Sequence, residues 1–148
     1  MQLDRPVSDI AHVIQLAVAP VFLLSGVGVT LTVLTNRLAR IIDRARLLES
    51  RLPGGAAAEL TAIHAELATL SLRARLIHHA ITLSTTCALL ICGVIVSLFL
   101  SALVTANFEW VIVLLFIAGM VAFIGALINF LREIFAATAS LRFGPRDN

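Results

Sequence analysis

The sequence predicts an all-α, polytopic membrane protein with three transmembrane helices and a cytoplasmic antiparallel helical hairpin that extends spans one and two. Three observations predict it. Apolar runs cover residues 10–34, 80–104 and 111–131, and a run of about eighteen or more apolar residues is long enough to cross a bilayer as a helix. The 148 residues are 59% hydrophobic and 14% charged, more apolar surface than a soluble domain of this size carries. Ten of the eleven arginines fall on the side that would flank the inner ends of the spans. The expected organisation is one membrane domain over residues 1–148, with spans at about 10–35, 80–104 and 110–131. The hairpin takes about 36–79 and a cytoplasmic tail takes 132–148. This leaves no room for a separate soluble catalytic domain.

The first span carries Pro20, which removes a backbone donor and favours a kink. Ala17-Val18-Ala19 has the look of a leader cleavage site. However, Asp4 and Asp9 outnumber Arg5 before it, and His12 and Gln15 interrupt its apolar stretch. A leader needs a positive start and a clean apolar core, so the segment is expected to be a retained span. Ser25, Gly26, Gly28, Thr30, Thr32 and Thr35 follow Pro20. Small and hydroxyl side chains permit close helix approach, and they also suit a wet path.

Between spans one and two, apolar residues fall at Leu34, Leu38, Ile41, Ala45, Leu48 and Leu52. After Pro53-Gly54-Gly55 they resume at Leu60, Ile63, Leu67, Leu70, Ala74, Ile77 and Ile81. Steps of three and four on both sides of a Gly/Pro break predict two arms packed as a coiled coil. At 1.5 Å per residue, the first arm projects roughly 24 Å. Acidic Asp43, Glu49, Glu59 and Glu66 are interspersed among its arginines, as a solvated amphipathic pair requires. Such a hairpin either stiffens the spans or offers a docking surface.

Span two has Gly93, Ser97 and Ser101 at four-residue steps, and span three has Ala118, Ala122 and Ala126 with Gly119 and Gly125 nearby. These are small-residue stripes for helix contact, and three of them allow an oligomer. Cys87 and Cys92 read as small apolar residues of span two. Arg37, Arg40, Arg44, Arg46, Arg51, Arg73 and Arg75 lie between spans one and two, and Arg132, Arg142 and Arg146 follow span three. Cytoplasmic flanks collect basic residues, which predicts an inner-membrane protein with its N-terminus outside and its C-terminus in the cytoplasm. Trp110 and Phe108 then sit at the outer interface.

The segments Ala19-Pro20-Val21-Phe22-Leu23-Leu24-Ser25-Gly26-Val27-Gly28, Thr35-Asn36-Arg37-Leu38-Ala39-Arg40 and Asp43-Arg44-Ala45-Arg46 resemble a small bacterial membrane family called domain of unknown function 2721. The resemblance covers the first span, the hairpin and span two best. It implies a three-helix protein with a proline in its first span and an Asn-Arg step into a basic helix. It implies no activity.

Ionisable residues deep in the spans are missing, which argues against a proton relay or ion-coupled pump. His12, His78, His79, Glu109, Asn129, Arg132 and Glu133 lie near span ends. His64 and Glu66 are two apart and poorly placed for one metal. No catalytic constellation, metal set or cofactor motif is visible, so neither an enzyme nor a nucleic-acid binder is expected. Two function classes remain. One is a homo-oligomeric pore or transport-related assembly lined by Ser25, Gly28, Thr32, Thr35, Asn36 and Arg37, whose arginine ring would favour anions. The other is a membrane-anchored scaffold or accessory subunit. Its Arg40, Arg44, Arg46, Arg73 and Arg75 would meet a cytoplasmic protein partner or anionic lipid.

Overall fold

The computed structural model describes residues 5–53, 57–103 and 109–140. They form three helices: α1 (Arg5–Glu49), α2 (Ala57–Leu103) and α3 (Glu109–Ser140). All three are long and apolar enough to cross a membrane. With 45 and 47 residues, α1 and α2 each extend about 70 Å, more than twice the roughly 30 Å of a hydrocarbon core.

Span and hairpin arm are one continuous helix in both cases. The helix α1 passes through Pro20 without ending, and Pro20 itself is buried. Its C-terminus closes in a tightened turn, with Arg51 N–H donating to the Leu48 carbonyl and Leu52 N–H to that of Glu49. Three-residue bonds of this kind satisfy carbonyls that lose their partners at a helix end. Gly54 and Gly55 lie outside the described residues. Glu59 and Glu109 stand in the first turns of α2 and α3, where a negative charge meets the positive end of the helix dipole. The helix α3 runs nine residues beyond Leu131, so the segment expected as a tail begins as helix. Its Ile134, Phe135, Ala136 and Ala137 carry no helix breaker.

The chain forms two compact units. One comprises residues 1–31 with 83–124. Its core is Val27, Cys87 and Ile91, flanked by Leu23, Leu24, Leu31, Ala88, Ile95, Ala122 and Phe123. Glycines set the helix approach here. A Cβ on Gly119 would stand 3.3 Å from Ile91 Cδ1, and one on Gly93 would stand 3.4 Å from Leu115 Cδ1. Gly26 and Gly28 have nothing within 4 Å of that position. Of the small residues noted in span three, Gly119 and Ala126 are buried, and Ala118, Ala122 and Gly125 are half-buried.

The other unit comprises residues 32–82 with 125–148. Its buried core is Leu34, Ile41, Leu48, Ile63, Leu70, Ile77 and Ala80, with Leu38, Ala45, Leu52, Leu67, Ala74, Ile81 and Phe130 packed against it. Leu34, Ile41 and Leu48 are seven residues apart, as are Ile63, Leu70 and Ile77. Arg44 on the first arm pairs with Glu66 on the second. Farther from the turn, Arg37 and Arg73 reach one carboxylate. The two arms therefore run back along each other.

Candidate functional site: an arginine-lined groove beside a buried glutamate

The buried stripe of α3 passes from Ala126 to Glu133, one heptad further on. Glu133 is fully buried. A carboxylate removed from water is costly unless paired and hydrogen-bonded, and here both its oxygens are occupied. Arg37 Nη1 donates to Oε2 at 2.7 Å. Arg73 donates to Oε1 through Nε at 3.1 Å and Nη2 at 2.9 Å. The Arg37 guanidinium also lies 5.1 Å from the centre of the Phe130 ring, close enough for a cation–π attraction. One carboxylate thus joins α1, α2 and α3 within this unit, and the two guanidiniums are held in fixed positions.

These arginines form part of the wall of a groove of about 320 Å³, lined by Arg37, Arg40, Ile41, Arg44, Leu70, Arg73 and Ala137. The spacing of Arg37, Arg40 and Arg44 places them on one face of α1. Arg44 is exposed; its Nε donates to Glu66 Oε1 at 2.8 Å, and its Nη2 lies 2.8 Å from the same oxygen as an ion pair. Arg40 makes no ion pair among the described residues. Four guanidiniums therefore face two carboxylates, Glu133 and Glu66, which leaves the groove positively charged.

The structure divides the two sets of candidate residues differently from the sequence. Ser25, Gly28, Thr32, Thr35 and Asn36 are exposed on α1. Arg37, grouped with them by sequence, instead joins Arg40, Arg44 and Arg73 at the groove. Arg46 and Arg75 are exposed and lie outside its lining. Hydroxyls of α1 bond their own helix: Ser25 donates to the Val21 carbonyl, Thr30 to that of Gly26 and Thr35 to that of Thr32. Such back-bonding satisfies a hydroxyl without water. The rings of His64 and His79 lie against the Leu60 and Arg75 carbonyls. Among the described residues, no three His, Cys, Asp or Glu side chains gather as a metal site.

Sequence reasoning placed Glu133 only near a span end. The signal that finds it is periodic. Gly119, Ala126 and Glu133 are seven residues apart, so the carboxylate continues the buried stripe of its helix.

The sequence model of a family described as protein of unknown function, DUF2721, matches residues 17–143. No curated protein and no solved structure matches the chain.

Proposed function

The chain belongs to the DUF2721 family, and from that premise we propose a membrane-anchored scaffold or accessory subunit with a helical hairpin standing off the cytoplasmic face. The observation that carries this reading is the Arg37–Glu133–Arg73 cluster. It ties Arg37, with Arg73, to Glu133 rather than leaving it with Ser25, Gly28, Thr32, Thr35 and Asn36, and it stiffens the base of the hairpin. Buried polar clusters of this kind favour one arrangement over others more than they add net stability. A rigid projection of two packed arms, with charged outer faces, suits a partner that docks along it. The ten arginines after the first apolar run and after the third support placing the hairpin on the cytoplasmic side. The test is electrical. The full chain in planar bilayers should pass no current, either as wild type or as Arg37→Glu. A conductance whose charge preference reverses in the variant would overturn the scaffold reading.

A second reading, a homo-oligomer with α1 nearest the axis, is favoured by one observation. Ser25, Gly26, Gly28 and Thr32 are exposed together on α1, and both glycines have open space beside them. In a bilayer, such a face packs well against another helix. Single cysteines at Thr32, with Cys87 and Cys92 replaced by alanine, should then crosslink neighbouring copies. Crosslinks confined to α3 positions would exclude that axis.

A further inference from the structure

We propose that the groove lined by Arg37, Arg40, Arg44 and Arg73 binds a phosphate-bearing anion, either the phosphomonoester headgroup of an acidic lipid or a soluble phosphate ester. The inference rests on reading the three helices as membrane spans for the height of the site. Its charge and shape stand independently of that reading.

A guanidinium carries five N–H donors and no acceptor. Arg37 spends Nη1 on Glu133, and Arg73 spends Nε and Nη2. Among the described residues, Nε and Nη2 of Arg37, Nη1 of Arg73 and the whole Arg40 guanidinium have no bonded partner and remain for a ligand. Planar guanidiniums match phosphate oxygens in geometry and form charge-assisted bonds with them. Two of the cations are already fixed by Glu133, so binding costs little ordering of those side chains.

Size agrees. A volume of about 320 Å³ lies at the low end of the roughly 300–1,000 Å³ range of small-molecule sites. It admits one headgroup rather than an extended ligand. Ile41, Leu70 and Ala137 supply an apolar part of the wall, suited to the carbon backbone that carries a phosphate ester.

Height agrees as well, by two separate rulers. Arg37 and Arg40 lie three and six residues past Leu34, the last residue of the first apolar run, which is about 5 and 9 Å along a helix. Glu133 lies two residues past Leu131, the last residue of the third apolar run, which is about 3 Å along a helix. Both rulers bring the groove to the level of lipid phosphates.

Native mass spectrometry tests the lipid source, on the full chain in micelles with phosphatidic acid or phosphatidylcholine. Phosphatidic acid should bind at least about tenfold more tightly than phosphatidylcholine. Arg40→Gln should remove about tenfold of that affinity, with helicity unchanged because Arg40 holds no ion pair among the described residues. Arg75→Gln removes the same charge outside the groove and should cost less than about threefold. Calorimetry with sn-glycerol 3-phosphate tests the soluble source. Binding of that ester, lost in Arg40→Gln and kept in Arg75→Gln, supports the site with a soluble ligand. Equal losses in the two variants, or no binding of either phosphate compound, would overturn the proposal.

Discussion

Glu133 decides more of this unit than any other single side chain. It is fully buried, while Arg37 and Arg73 keep 38% and 23% of their side-chain surface. Removing its charge leaves two cations that can partly recover water. The cost should therefore fall below the 3–5 kcal/mol typical of breaking a fully buried pair, at about 2 kcal/mol for Glu133→Gln. Arg73→Gln should cost more than Arg37→Gln, because Arg73 is less exposed and bonds the carboxylate twice. Unfolding in detergent, followed by circular dichroism, measures all three, and a Glu133→Gln protein as stable as wild type would refute the role. Ser84 offers the opposite case. Its Oγ is buried without a hydrogen-bond partner among the described residues, so Ser84→Ala should be neutral or stabilise by up to about 1 kcal/mol. Neither role was visible in sequence. A glutamate near a span end and a serine within one look ordinary until the helices that surround them are known.

At the scale of elements, the hairpin was the most legible part. The apolar positions read at steps of three and four from Leu34 to Leu52 all fall in one cluster with Ile63, Leu67, Leu70, Ala74, Ile77 and Ile81, whereas Leu60, read in the same stripe, lies outside it. Periodicity reveals the buried face because each arm has one dominant neighbour. It does not reveal which neighbour a small residue meets. A Cβ at Gly93 or Gly119 would meet a side chain, whereas one at Gly26 or Gly28 would meet nothing within 4 Å. The cluster gives a sharp contrast between adjacent residues. Leu67 packs against the core, so Leu67→Asp should cost about 2–4 kcal/mol by placing a charge in an apolar seam. Glu66 is 42% exposed in its pair with Arg44. Glu66→Ala should therefore cost less than about 1 kcal/mol, the range of surface ion pairs. Comparable losses from the two changes in the same unfolding measurement would rule out the coiled-coil seam.

For the whole molecule, length and charge act together to set topology. The helices α1 and α2 are too long to lie wholly within one hydrocarbon core, so as spans they extend beyond it. The connection between them is the arginine-rich one, and the connection between α2 and α3 has no arginine. Basic residues near span ends are retained in the cytoplasm, and on that rule we propose that the arms and the C-terminus lie inside and the N-terminus outside. Two positions report this, both outside the described residues: Gly54 in the first connection and Asn107 in the second. With Cys87 and Cys92 replaced by alanine, a single cysteine at Asn107 should react in intact cells with a reagent that cannot cross the membrane. One at Gly54 should react only after the membrane is opened. Labelling of Gly54 from outside would invert the topology. It would also move the arginine groove away from the cytoplasmic leaflet, where anionic lipids concentrate and a phosphate site would find its ligand.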